Sequence, residues 1–186
     1  DNLRKEVFAN QKKLGIIPEN AQLAPKPKDI KDWENLSAIE KKVFAHQMEV
    51  FAGFGEHTDH EIGRLIENID KLGVLEDTLV FYIIGDNGAS AEGGMIGTSN
   101  EMLYFNMIPE TIEDIIAIND DIGVPSTYNH YAAGWAIAGV TPFGWPKQIA
   151  GDFGGTTNPL IVHWPKGIKS KDGLRTQFSH VIDVAP

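Results

Sequence analysis

The stretch 78–88 constrains the fold of this chain more than any other part of the sequence. Six consecutive apolar or aromatic residues, 79–84, are followed by a glycine and then by Asp86 and Asn87. A continuous apolar run of this length predicts a strand with both faces covered, as in a mostly parallel α/β sheet. Ligands bind beyond the carboxyl ends of such strands. We therefore expect Asp86 and Asn87 to lie at a binding site.

Two readings of Asp86-Asn87-Gly88 remain open from the residues alone. Asn-Gly between apolar runs is a strong signal for a hairpin turn, which predicts an alternating strand directly after Gly88. Residues 88–100 are instead small and polar, which predicts a long loop. The other reading is a metal site, because carboxylate and amide oxygens are suitable ligands for Ca²⁺ or Mg²⁺.

Composition limits the classes of function. The chain has 186 residues, a formal net charge of -10 and no cysteine. The negative charge argues against a nucleic-acid partner or an anionic membrane, and the lack of cysteine excludes disulfides and thiolate zinc sites. No apolar run reaches the roughly 20 residues that a membrane span needs, and residues 1–20 contain no signal-peptide core.

The length fits a single domain, residues 1–186. The chain starts without Met inside a helix-like pattern and stops after an apolar stretch, so we expect it to be part of a longer domain. Within it, residues 18–35 are rich in proline and lysine and predict a surface linker.

Helical spacing of apolar residues predicts a short helix over residues 2–14 and a long one from Ala38 to about Leu72. Ser37 and Glu40 have the spacing of a capping box at the start of the long helix. Two mid-helix glycines, at positions 53 and 55, predict close packing or a bend. We also expect a helix from Pro109 to residue 118, an irregular segment over 123–146, a second buried strand over 159–164, and the approach to a helix over 178–184.

Three cationic or titratable side chains could carry chemistry. His57 and His60 lie three apart on one helical turn, which can hold a metal, but their polar surroundings favour two surface residues. Lys147 precedes a glycine-containing turn that ends in Gly154-Gly155. It could present a point charge to an anion in a cleft, or it could be an ordinary solvated lysine. Gly154-Gly155 permits close backbone approach.

These pieces together resemble the formylglycine-dependent type I sulfatases, particularly bacterial arylsulfatases. The resemblance covers nearly the whole chain. It rests on residues 48–52 and 59–72 of the long helix, Asn87 within 78–94, Asn129-His130-Tyr131, Thr141-Pro142-Phe143, Lys147-Gln148, Gly154-Gly155 and the segment 158–168.

The resemblance implies an α/β fold, with part of an alkaline-phosphatase-like mixed sheet flanked by helices. It also implies that Asp86 and Asn87 are ligands of an active-site Ca²⁺ or Mg²⁺ and that Lys147 contacts the sulfate ester. The family pattern has Glu before Gly-Gly and Arg shortly after it, whereas Phe153 and Thr157 occupy those surroundings here. A periplasmic or secreted location is implied by the resemblance as well.

One departure from the family pattern affects the chemistry. These sulfatases convert a Cys or Ser in a Cys/Ser-x-Pro-x-Arg signature to formylglycine, and this chain has neither a Cys nor Ser-x-Pro-x-Arg. We therefore expect part of the metal and sulfate site of an arylsulfatase-type hydrolase, without its nucleophile and inactive alone. Two alternatives stay open: a non-catalytic module that self-associates through exposed sheet edges, and a relative that hydrolyses phosphate esters.

Overall fold

The computed structural model describes residues 1–85 and 87–184. Five α-helices and two β-strands are defined in these ranges: α1 (Asn2–Lys13), α2 (Ala38–Lys71), β1 (Val80–Ile83), α3 (Glu101–Phe105), α4 (Ile112–Ala117), α5 (Ala133–Gly139) and β2 (Leu160–His163). Short 3₁₀ turns occur at Trp33–Asn35, Leu75–Asp77, Asn119–Asp121, Ala150–Asp152 and Val181–Asp183. The last of these lies within 178–184, the segment expected to lead into a helix.

The start of α2 is fixed by local chemistry, as the sequence predicts. The Ser37 hydroxyl accepts a hydrogen bond from the Glu40 backbone N–H, and the Glu40 carboxylate accepts one from the Ser37 N–H. These two bonds satisfy backbone donors that have no partner within the helix. The capping box and the helix over Ala38–Lys71 are confirmed.

The hydrophobic core lies where the first turns of α2 pack against α4 and the segment before α5. Its buried members are Val43, Phe44, Ile115, Ile122 and Ala132. Beyond residue 50 the apolar side chains of α2 are largely exposed, including Phe54 and Leu65. The expected close packing at Gly53 and Gly55 is wrong, because a β-carbon at either position would meet only open space.

The sheet differs from the expected buried, mostly parallel arrangement. β1 and β2 pair antiparallel, with Val80 opposite His163 and Ile83 opposite Leu160. β1 alternates between half-buried and exposed residues, and β2 is exposed throughout. The prediction of two buried strands is therefore wrong for the described residues, since neither strand contains a fully buried residue.

The pairing also decides against a plain hairpin after Asn87-Gly88. The strand that pairs with β1 is β2, and α3, α4 and α5 all lie in the connection between them. A connection of this kind cannot be a two-residue turn. The long loop over 88–100 is confirmed, while the segment expected to be irregular contains α5.

Helix α1 and the 18–35 segment are hydrogen-bonded to the loop that follows α5. Arg4 is buried, and its guanidinium Nη2 donates to the carbonyl oxygens of Ala24 and Phe143. The Ala24 backbone N–H donates to the Pro142 carbonyl at 3.0 Å. These bonds attach α1 and the 18–35 segment to Pro142 and Phe143, in the stretch of chain that leads from α5 to Lys147. None of the helices described in 1–85 and 87–184 combines the length and the hydropathy that crossing a bilayer requires.

Candidate functional site

The site is built at the end of β1. The Ile84 backbone N–H donates to the Pro159 carbonyl at 3.1 Å, which extends the pairing of the two strands by one bond. Asn87 follows in an exposed position. Asp86, the other predicted metal ligand, lies outside the described residues.

Two glycines allow the backbone after β1 to touch the backbone before β2. Gly88 has a positive φ of 81°, and a β-carbon there would lie 2.0 Å from the Gly154 carbonyl oxygen. A β-carbon on Gly154 would in turn lie 2.0 Å from the Trp145 carbonyl oxygen. Since real side chains do not approach so closely, only glycine fits either position. The predicted close backbone approach at Gly154-Gly155 is confirmed.

Gly155 lies between the two predicted site elements. A β-carbon on it would be 3.4 Å from the Asn87 carbonyl oxygen and 3.4 Å from the Lys147 Cα. The Lys147 backbone N–H also donates to the Ala89 carbonyl at 3.0 Å. Asn87 and Lys147, far apart in sequence, are therefore brought to one place through their backbones.

A side chain that the sequence argument did not single out secures this contact. Asn158 Oδ1 accepts a hydrogen bond from the Gly88 backbone N–H at 2.9 Å. The bond ties the residue before β2 to the loop after β1 and satisfies a partly buried donor. The Asn158-Pro159 pair at the start of an apolar run is the signal that could have indicated it.

The Lys147 side chain is held by a carboxylate. Its Nζ lies 2.9 Å from Glu92 Oε2, and only 25% of the lysine side chain and 16% of the glutamate side chain are exposed. The reading of Lys147 as an ordinary solvated lysine is therefore wrong. Lys147 is a partly buried cation with a fixed anionic partner.

Glu92 is the centre of a small polar network that sequence reasoning missed. Its carboxylate accepts hydrogen bonds from the Ser90 hydroxyl at 2.7 Å and from Gln148 Nε2 at 3.2 Å, in addition to Lys147. The hydrogen bond from Lys147 first, and that from Ser90 next, hold the pKa of Glu92 below its ordinary value. Glu92 is thus ionised at neutral pH.

His130 and Tyr131 lie beside this network. Their rings are 4.5 Å apart between centroids, and His130 pairs with Thr98 in an isolated antiparallel bridge. Burial raises the pKa of Tyr131, so its hydroxyl stays protonated at neutral pH. The Asn129-His130-Tyr131 motif therefore lies next to the loop that carries Glu92.

The histidine pair on α2 does not form part of this site. His57 and His60 are both exposed in the middle of the helix. Within the ranges 1–85 and 87–184, no three His, Cys, Asp or Glu side chains come together as a metal-binding group. The interpretation of His57 and His60 as surface residues agrees with this geometry.

The chain is an α/β protein. Its candidate site lies at the end of β1, where the close contact between Gly88 and Gly154 brings Lys147 near Asn87. The sulfatase family model matches residues 9–186. A protein described as an uncharacterized sulfatase, from Schizosaccharomyces pombe, is 33% identical over 195 residues, which cover 100% of this chain and 32% of that protein. An arylsulfatase from Klebsiella aerogenes is 27% identical over 182 residues, which cover 98% of this chain and 37% of that protein.

The chain belongs to the sulfatase family. It spans about a third of the length of each of these relatives. The family has the alkaline-phosphatase-like fold, so the α/β class predicted from the sequence is confirmed.

Proposed function

We propose that this chain forms part of an arylsulfatase-type hydrolase of sulfate esters and contributes to both the metal site and the sulfate site. The observation that carries the proposal is the position of Gly155, where an added β-carbon would lie 3.4 Å from both the Asn87 carbonyl oxygen and the Lys147 Cα. A metal ligand and a sulfate-binding cation must act on the same ester, so they must be neighbours. Membership of the family supplies the reaction class.

Asp86 and Asn87 would hold the divalent cation, Ca²⁺ or Mg²⁺. The donor chemistry fits, because Asn87 is exposed just beyond β1 and such cations prefer carboxylate and amide oxygens. When bound, the cation would polarise the sulfate ester. Two ligands are fewer than the roughly six to eight oxygens that Ca²⁺ prefers, so further ligands would come from outside these residues.

Lys147 would offset negative charge on the sulfate group. Its Nζ carries three protons, of which one is directed at Glu92, so two donors can face an anion. The backbone bond to Ala89 fixes where the side chain starts. The formylglycine nucleophile would also be supplied from outside this sequence, which contains no cysteine. A periplasmic or secreted location is part of the same proposal.

The test uses the full-length protein that carries this chain, with p-nitrophenyl sulfate as substrate. Lys147→Ala is expected to lower kcat/KM by about 100-fold, the usual effect of removing one group that stabilises developing charge. Asp86→Ala is expected to abolish turnover and to weaken Ca²⁺ binding in calorimetry. The matched control is Lys166→Ala, which removes an exposed lysine paired with Asp77 at 2.6 Å and should leave kcat/KM unchanged.

Two results would contradict the proposal. One is equal activity of Lys147→Ala and Lys166→Ala. The other is robust hydrolysis by the 186-residue chain alone that is lost in Asp86→Ala, because the nucleophile would then lie within these residues.

A second candidate function is a self-associating, non-catalytic module. It is favoured by the exposed apolar side chains on the two strands, among them Phe81, Ile83, Ile161 and Val162. Exposed strand edges of this kind pair with other chains. Sedimentation of the 186-residue chain tests it: oligomers that dissociate in Ile161→Lys would support it, and a monomer at high concentration would exclude it.

A further inference from the structure

We propose that Glu92 is a specificity-determining residue that repels each additional negative charge on a bound ester and so favours monoanionic sulfate esters over dianionic phosphate esters. The inference rests on the proposed role of Lys147 as the sulfate contact. In this role Glu92 discriminates between sulfate and phosphate esters, in addition to forming the ion pair with Lys147.

Three hydrogen bonds hold the Glu92 carboxylate against Lys147. Its two oxygens are engaged by Ser90 Oγ, Lys147 Nζ and Gln148 Nε2 at 2.7, 2.9 and 3.2 Å. Gln148 itself has a positive φ of 77°, so its backbone is held in a conformation that residues other than glycine rarely adopt. A carboxylate fixed from three sides moves little when a ligand arrives.

Lys147 and Glu92 together carry no net charge, and both are largely shielded from solvent. A sulfate ester carries one negative charge, whereas a phosphate monoester carries nearly two above its second pKa of about 6. Any anion oxygen hydrogen-bonded to Lys147 Nζ lies within about 6 Å of the Glu92 carboxylate, given hydrogen bonds of about 2.9 Å. Each additional negative charge on the ligand is therefore repelled by Glu92 at short range.

The Glu92 carboxylate stays negatively charged at the pH of the assay. The contacts with Lys147 and Ser90 keep the pKa of Glu92 low, and the nearby His130 acts in the same direction when it is protonated. The Tyr131 hydroxyl, whose pKa is raised, stays neutral and cannot compensate the carboxylate. A bound ligand therefore meets both the positive charge of Lys147 and the negative charge of Glu92.

The experiment compares p-nitrophenyl sulfate with p-nitrophenyl phosphate at pH 8 in the full-length protein. Both substrates release the same leaving group, and the change in their kcat/KM ratio between two variants cancels the intrinsic reactivity of sulfur and phosphorus, so it reports how the site discriminates between the two transferred groups. Glu92→Gln keeps the shape and removes the charge, and it is expected to shift the ratio about tenfold towards the phosphate ester. Glu92→Asp keeps the charge and should stay near the wild-type ratio.

Glu110→Gln is the matched control. Glu110 also anchors a loop through its carboxylate, but its partners are the Thr98 and Ser99 hydroxyls and the Ser99 backbone N–H. Its substitution should leave the ratio unchanged even if it lowers the melting temperature. Equal changes for both substrates in Glu92→Gln would show that Glu92 is only structural and would overturn the inference.

A binding measurement separates this inference from the proposed function. Binding of methyl sulfate and of methyl phosphate to the full-length protein at pH 8 is measured by isothermal titration calorimetry. Relative affinity is expected to move towards methyl phosphate in Glu92→Gln, and an unchanged ratio contradicts the inference. If the full-length protein hydrolyses neither ester, the proposed function fails and this binding ratio alone decides the role of Glu92.

Discussion

Gly88 and Gly154 approach each other so closely that a β-carbon on Gly88 would lie 2.0 Å from the Gly154 carbonyl oxygen. The contact joins the loop after β1 to the turn before β2, which are distant in sequence. Together with the hydrogen bond from the Lys147 N–H to the Ala89 carbonyl, this contact makes Asn87 and Lys147 neighbours. The glycines therefore matter for the site although they carry no functional group.

Gly88→Ala is expected to destabilise the protein by about 2 kcal/mol or more, because the new methyl group meets a backbone carbonyl and the positive φ of 81° adds strain. Urea unfolding followed by circular dichroism measures the change. Gly55→Ala is the control. That glycine lies inside α2 with open space around it, so alanine there should stabilise by about 0.5 to 1 kcal/mol. Changes of the same sign and size at both positions would contradict the close contact.

Asn158→Ala removes the side-chain acceptor of the Gly88 backbone N–H. The Gly88 amide is expected to exchange with solvent deuterium faster, since its hydrogen bond would be lost. Asn158→Asp keeps an acceptor oxygen in the same place and should restore slow exchange. Hydrogen exchange measured by NMR at this single amide distinguishes the two variants. Equal exchange rates in wild type and Asn158→Ala would show that the bond does not protect the amide.

Local features of this fold could be predicted from the sequence, because their determinants lie within a few residues. The Ser37 and Glu40 capping box is one example, and the two apolar runs that form β1 and β2 are another. The pairing of those strands could not be predicted, since no periodicity indicates which distant strand is the partner. Their exposure was also missed, because a continuous apolar run does not reveal whether neighbouring layers lie within the same 186 residues.

In the candidate site, too, local features could be predicted from the sequence and long-range contacts could not. Lys147 and the glycine pair could be singled out from residue type and turn chemistry. Glu92 could not, because its partner is 55 positions away and a lone glutamate in a small polar loop carries no pattern. Helix α5 was missed for a related reason: two of its seven residues are glycines, which disfavour a helix, and the burial of Ala136 and Ile137 stabilises it through tertiary packing.

Gln47 should be among the most sensitive positions of the core. It is 1% exposed, its Oε1 accepts from the Ala132 N–H, and its Nε2 donates to the Ile96 carbonyl, both at 3.1 Å. Gln47→Met keeps the approximate size but leaves two backbone groups without partners, which is expected to cost about 2 kcal/mol or more. Thermal and urea unfolding measure the loss. Glu49→Met, an exposed position on the same helix, is the control and should change stability by less than about 0.5 kcal/mol.

Glu40 is expected to make stability depend on pH below neutrality. A hydrogen bond from Lys31 at 2.8 Å, followed by that from the Ser37 backbone, lowers the pKa of Glu40 from 4.5 to about 2. A carboxyl whose pKa is lower in the folded state stabilises the fold fully above pH 4.5, and this contribution is lost as the pH falls from 4.5 towards 2.

Glu40→Gln tests this dependence, because glutamine can still cap the helix but carries no charge. Wild type should be more stable than Glu40→Gln at pH 7, and the difference in melting temperature should narrow between pH 4.5 and pH 2. Glu56→Gln, at an exposed position in the middle of α2, controls for the general effect of removing a negative charge. A difference between wild type and Glu40→Gln that is the same at pH 7 and at pH 2 would mean that the ionised carboxylate contributes nothing to the helix start.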